Sequence, residues 1–343
     1  MLRFSRIVIM RQAFIALTLI ALPVIASAQD ASFSDVSAKH PAFPAVEFLK
    51  KEGILQGYPD GTFRPDVTVN RAEAVKIIAA PLLEKAILDQ YTSSVYGDVQ
   101  PGSWFKGYVE AARQTLGILD GPPKATMFYG ERPVNKAEFL KMLLLANKID
   151  PVSAFSEITM PLSSDVADSS QWYYPYMRYA IASSMTMVET DGTLQPGKQL
   201  TRGEVSLLLF RLMMYRQNRR TQALLTEAES EILNILQMLE TGNSTQAEFS
   251  STRALLAARG ALMSNPNEPL VKGAVKITEG FGLLVRAYKS GLSSDLQSVI
   301  DQAGDAWQLA EKAKGFAASL EPLASQMQGI AKNMADEARA MMH

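Results

Sequence analysis

Apolar positions between residues 30 and 217 come in short bursts at three- and four-residue steps, each burst closed by turn formers. Ala45, Val46, Phe48 and Leu49 make the first burst, which Gly53 ends. Tyr58-Pro59-Asp60-Gly61 then reads as a turn with proline in its second position, and a second burst of Val75, Ile77 and Ile78 runs from Asn70 to Pro81, which ends or kinks it. The same helix, loop, helix pattern follows twice. Tyr108, Val109 and Ala112 precede Phe139, Leu140, Leu143 and Leu144; Tyr176, Tyr179 and Ala180 precede Val205, Leu208 and Leu209. Helices this short are marginal alone, so the pattern predicts repeats that share a core.

After residue 217 the pattern changes. Aromatics thin out, Ala, Leu, Gln, Glu and Ser take over, and the shift marks an expected domain boundary. Leu225, Ala228, Ile232, Ile235 and Leu239 form one amphipathic stripe, and Ala274, Ile277, Phe281, Leu284 and Tyr288 form another. Leu292, Leu296, Val299, Ala303, Ala306, Ala310, Ala313, Ala317 and Leu320 keep a heptad seam whose alanine centre permits close helix approach. Pro322 starts or kinks a last helix through Leu323, Met327, Ile330 and Met334. Pro266, Pro269 and the glycines cut this region into hairpin-length pieces, which favours a bundle within the chain over an intermolecular coiled coil. The expected fold is all-α: repeats over 30–88, 89–150 and 151–217, then a helical bundle or coiled-coil-like domain over 218–343. The first part is expected to fold alone and the second to be separable from it.

The second helix of each repeat starts in the same way. Asn70-Arg71-Ala72-Glu73, Asn135-Lys136-Ala137-Glu138 and Thr201-Arg202-Gly203-Glu204 read as capping boxes, with the cations 65 and 66 residues apart. A cation in the first turn opposes the helix dipole at a cost of about 0.3 to 1 kcal/mol, yet unpaired amides there make a ready anion site. An apolar anchor lies eight residues before each cation: Phe63, Phe128 and Leu194. Asp35, Asp98 and Asp165 open the repeats, 36, 38 and 37 residues before the cations, and read as caps or turn formers.

The amino terminus sets an expected compartment. Residues 1–28 carry Arg3, Arg6 and Arg11, an apolar run from Ala13 to Ala26 and the small-residue site Ala26-Ser27-Ala28, the parts of a secretory signal peptide with cleavage after Ala28; an uncleaved anchor is the alternative. Removing it leaves 31 basic and 35 acidic residues, a net charge of −4, which argues against nucleic acid as partner. With no cysteine, neither disulfide stapling nor a lipidated amino-terminal cysteine is available. The two histidines, His40 and His343, support neither a metal cluster nor a hydrolytic triad, and no cofactor is expected.

Asp35-Val36, Gly53-Ile54, Gly57-Tyr58-Pro59-Asp60-Gly61-Thr62-Phe63 and Asn70-Arg71-Ala72-Glu73 resemble the surface-layer homology domain, whose repeats end in a Thr-Arg-Ala-Glu type motif. The second repeat keeps Trp104, Gly117-Ile118 and its capping box but replaces Pro-Asp-Gly with Gly121-Pro122-Pro123; the third keeps Trp172, Asp191-Gly192-Thr193 and its box. The resemblance implies a pseudo-threefold helical module that binds cell-wall polysaccharide, often a polymer bearing pyruvylated sugars, in grooves between repeats. It carries Arg71, Trp104, Gly53, Asn70, Lys136, Trp172 and Arg202 over as carbohydrate-binding candidates, with Arg71 paired to Trp104 and Lys136 to Trp172. Arg202 would face Pro41 at the tryptophan position, so the Arg71 groove ranks first. A plain helix-start role stays open for each cation, and core anchoring for each tryptophan. Two function classes follow: a non-catalytic envelope protein held on the wall by its repeats, with a protein partner or self-assembly open for 218–343, or a wall-acting enzyme that the repeats localise.

Overall fold

The computed structural model describes residues 31–121 and 123–342; the expected signal peptide lies outside the described residues. Within the repeats the helices are α1 (Phe43–Lys51), α2 (Arg71–Ala79), a short α3 (Lys85–Asp89), α4 (Lys106–Gln114), α5 (Lys136–Ala146), α6 (Tyr174–Ala182) and α7 (Arg202–Arg216). They are followed by α8 (Thr221–Glu240), α9 (Ser244–Ser264), α10 (Pro269–Leu292), α11 (Leu296–Lys314), a 3-10 turn at Ala318–Leu320 and α12 (Glu321–Met342). The fold is all-α, and among the described residues only isolated β-bridges join extended segments. No described helix is long and apolar enough to cross a membrane.

The expected capping boxes are present at α2, α5 and α7: in each, the cap side chain accepts from the third amide and the glutamate accepts from the cap amide. The extended residue just before each box closes the threefold arrangement. Val69 N–H donates to the Leu200 carbonyl (2.9 Å), Leu200 N–H to the Val134 carbonyl (3.1 Å), and Val134 N–H to the Val69 carbonyl (3.1 Å). All three side chains are buried, so this ring sits on the pseudo-threefold axis inside the core.

The carboxy-terminal helices confirm most of the pattern. Val299, Ala303, Ala306, Ala310 and Ala313 are fully buried along α11, against α10 and α12 in one cluster with Met327, Ile330 and Met334. The seam is shorter than expected. Leu292 is the exposed last residue of α10, the Asp295 cap restarts the chain as α11, and Ala317 falls beyond the end of that helix.

The change in composition coincides with the short link between α7 and α8, but the core does not stop there. Leu224, Ala228, Leu256, Ala258, Ala261 and Val275 belong to the same apolar cluster as Phe63, Phe128 and Leu194. Helix α9 packs on α6 and is bonded to the rest of the third repeat: the Tyr215 hydroxyl of α7 donates to the Gly260 carbonyl (3.0 Å), and Arg253 donates to the Leu162 carbonyl (2.8 Å) while paired with Glu231 of α8 (2.6 Å). The expectation of an amino-terminal part that folds with no partner after Tyr215 is therefore corrected. Its third repeat buries an apolar face against α8 and α9, and that face would meet water in a fragment cut at residue 217.

Candidate functional site

Each groove is built from an aspartate upward. Both carboxylate oxygens of Asp35 accept backbone N–H groups, from Phe63 and Arg64 (2.7 Å each). Asp98 does the same for Phe128 and Tyr129 (2.7 and 2.6 Å), and Asp165 for Leu194 and Gln195 (3.0 and 2.7 Å). The second residue of each pair, Arg64, Tyr129 or Gln195, holds a positive φ of 51 to 59°, a conformation costly for a side-chain-bearing residue. The aspartates are thus loop clamps that fix the apolar anchors, not helix caps. Burial works against the Asp165 charge, but the Leu194 amide, the Ser163 hydroxyl and the Gln195 amide outweigh it and hold the carboxyl below its ordinary range.

That depressed value fixes the sign of a pH effect. The clamp stabilises the fold above the ordinary carboxyl pKa of about 3.9 and loses its contribution as pH falls through the lower, folded-state value. Asp165→Asn is expected to cost on the order of 1.5 to 3 kcal/mol at neutral pH. Thermal melts of the two proteins should converge on acidification; a gap that persists at low pH would assign the loss to packing instead.

Each anchor sits under the cation of the preceding repeat. The Arg71 guanidinium lies 5.2 Å from the Phe128 ring centroid, and Arg202 lies 4.7 Å from that of Phe63. Lys136 Nζ donates to the Leu194 carbonyl (2.8 Å). The first amides of each helix are not available to a ligand, which corrects the expected anion site. Arg71 and Ala72 N–H donate to the Arg132 and Gly130 carbonyls, Lys136 and Ala137 to Lys198 and Pro196, and Arg202 and Gly203 to Val67 and Pro65. The loop of the next repeat takes the place of the anion. Only the side chains remain for binding.

Those side chains differ in what they already hold. Arg202 donates to the Gln56 carbonyl (2.7 Å) and lies over the Tyr58 ring (5.3 Å). Lys136 is buried, 3.5 Å from a Glu189 carboxylate oxygen. Arg71 is half-buried, and among the described residues its guanidinium has neither a carboxylate partner nor a hydrogen-bond acceptor. Burial lowers its pKa, with Glu138 pulling the other way; an arginine stays charged through such a shift. Tyr58 and Glu189, each five residues before its anchor, supply two of these contacts, and the residue at the same count in the second repeat is Pro123.

Trp104 and Trp172 are about half exposed (54% and 50%), so their rings are open surfaces rather than core anchors. The cation each ring meets lies five residues beyond the expected one: Lys76 Nζ is 5.4 Å from the Trp104 ring and Lys141 Nζ 5.7 Å from the Trp172 ring. Lys76 and Lys141 carried no sequence signal beyond their position in the helix. Pro41 stands before α1 as Trp104 and Trp172 stand before α4 and α6, so the third groove lacks an indole. Gly53 terminates α1 with a φ of +70°, and the Asn70 oxygen is taken by the Glu73 amide (2.8 Å); both have structural roles at the groove.

Sequence reasoning also missed a polar position in the first helix of each repeat. Glu47 binds the amide and hydroxyl of Ser32, and Glu110 binds the hydroxyl of Ser94 and the amide of Val95. In the third repeat Arg178 takes this place and captures the carbonyls of Pro151, Val152, Ala154 and Ile158. Each is buried, which ties the opening segment of its repeat to the helix behind it.

The S-layer homology domain model matches residues 32–75, 95–140 and 164–206, so three such domains follow in tandem between residues 32 and 206. The chain is 30% identical to S-layer protein EA1 of Bacillus anthracis over 188 residues, 54% of this chain and 20% of that protein. It is 28% identical to the surface-layer 125 kDa protein of Lysinibacillus sphaericus over 193 residues, 55% of this chain and 15% of that protein. An amylopullulanase of Thermoanaerobacterium thermosulfurigenes is 25% identical over 187 residues, 54% of this chain and 10% of that enzyme. The chain spans a fifth or less of the length of each of these relatives.

Proposed function

We propose, with three tandem S-layer homology domains as the premise, that this protein attaches non-covalently to a cell-wall polysaccharide through the groove between its first and second repeats. Arg71 carries the reading: a half-buried guanidinium without an acidic partner among the described residues suits a carboxylate on the polymer, such as that of a pyruvylated sugar. Trp104 supplies a flat, open face for a sugar ring, and Lys76 beside it adds a second cation facing the same repeat. The protein acts at the cell surface, and the bundle of α8 to α12 is a spacer or interaction platform fused rigidly to the third repeat.

Cosedimentation of the full mature chain with purified sacculi tests this. Pelleting is expected with native sacculi and is expected to fall away once accessory polymer is stripped. Equal pelleting with both would assign binding to peptidoglycan itself. The similarity to an amylopullulanase favours a second reading, in which the repeats localise an enzyme. Soluble sugar released from wall material by the full chain would establish it.

A further inference from the structure

The second groove already contains a carboxylate, and it belongs to the protein. Glu189 lies in the third repeat at the place Tyr58 holds in the first, each with its N–H on the carbonyl four residues later; Pro123 stands at the same count before its anchor in the second. Its Oε1 stands 3.5 Å from Lys136 Nζ and 4.0 Å from Lys198 Nζ, and Lys198 in turn pairs with Glu204 at 2.6 Å. Lys136 is 5% exposed, whereas the Glu189 side chain remains 41% exposed and forms the outer wall over the ammonium. The Glu189 backbone is held by its own turn, through its N–H to the Thr193 carbonyl (2.8 Å) and the Gly192 N–H to its carbonyl (2.9 Å). The backbone that carries the carboxylate is thereby fixed beside Lys136.

We propose that Glu189 is an internal ligand that closes the second groove to polymer carboxylates, and that the residue five positions before each anchor sets which grooves are open. The inference rests on the reading of Arg71 as a carboxylate-binding group. An incoming carboxylate would need the space beside Lys136 that Glu189 fills, and would meet the Glu189 charge at the entrance. In the first groove the residue at that count is the uncharged Pro123, Glu138 is paired with Arg132, and among the described residues no carboxylate pairs with Arg71, which is left to the ligand. In the third, the Gln56 carbonyl and the Tyr58 ring already occupy Arg202, and Pro41 stands where the other grooves have an indole, so this groove is not counted among the open ones.

The experiment is a calorimetric titration of the full mature chain with a soluble pyruvylated monosaccharide, across wild type, Arg71→Ala, Glu189→Ala and Glu189→Ala/Lys136→Met. Wild type is expected to bind one equivalent, whose Kd Arg71→Ala raises roughly ten- to a hundredfold. Glu189→Ala is expected to gain a second equivalent, which Lys136→Met removes. Glu189→Gln keeps the side-chain volume and should give the same gain more weakly, so a folding defect in the alanine variant does not decide the outcome. One equivalent in wild type and in both Glu189 variants would overturn the inference and leave the Arg71 groove standing. Binding that appears only in the Glu189 variants would support the inference and overturn the Arg71 reading. Absence of binding throughout would overturn both.

Discussion

Replacing Arg71 with alanine is expected to weaken binding of a soluble pyruvylated sugar by about 1.5 to 3 kcal/mol, the range for a hydrogen bond to a charged group, or roughly ten- to a hundredfold in Kd. Folding stability should hardly move. The variant loses a cation over the Phe128 ring, worth about 0.5 to 1 kcal/mol, but it also loses a desolvated charge at the wrong end of a helix dipole, which costs about 0.3 to 1 kcal/mol. The two terms nearly cancel. Arg71→Lys should recover part of the affinity, since it restores charge without the planar fork, and Trp104→Ala should weaken the same site through loss of an exposed ring. Soluble sugar is the right probe, because binding to a polymer through several molecules at once masks a single defect. If a folded Arg71→Ala protein binds the sugar as wild type does, the first groove is not the site.

Gly260→Ala should destabilise the protein by about 3 kcal/mol or more, the upper range for overpacking a core. A Cβ on Gly260 would stand 1.6 Å from the Ala182 carbonyl oxygen and 2.5 Å from its carbon. Both are backbone atoms near the end of α6, so no rotamer change relieves the clash, and α9 must move off the third repeat. That movement would also strain the Tyr215 hydrogen bond to the Gly260 carbonyl. Gly282→Ala in α10 is the control. Nothing lies within 4 Å of its Cβ, and the change should be neutral or stabilising by up to about 1 kcal/mol, through helix propensity. Chemical denaturation of both variants decides the matter: a loss below about 1 kcal/mol for Gly260→Ala would mean that α6 and α9 are not in the close contact described.

The sequence revealed those features whose signals are local. Asn70, Asn135 and Thr201 with their glutamates declared the starts of α2, α5 and α7, because a capping box is complete within four residues. The stripes through Ile232 and Ile277, and the alanine seam of α11, were legible because each helix buries one face. Helix α9 was not legible. It is enclosed by α6, α8 and α10, so apolar and small residues surround it and no single stripe emerges, while Ser250, Thr252 and Arg253 are buried with them. The grooves were half legible. The cations and tryptophans stood out, but the carbonyls of Gly130 and Arg132 that take the amides at the start of α2 are backbone groups of another repeat and leave no mark on the sequence.

The ring formed by Val69, Leu200 and Val134 limits how such a module can change. In an open stack of repeats the two ends differ from the middle and require caps, so units can be added or removed one at a time. Here every repeat is interior. Its buried N–H is given to one neighbour and its carbonyl to the other, and both neighbours lie within the same set of three. Deleting one repeat leaves a buried donor on one side of the gap and a buried acceptor on the other, and inserting a fourth must break a bond before it can make two. Variation is therefore channelled away from repeat number and into single positions at the groove mouths, where Tyr58 and Glu189 can differ while the ring stays intact.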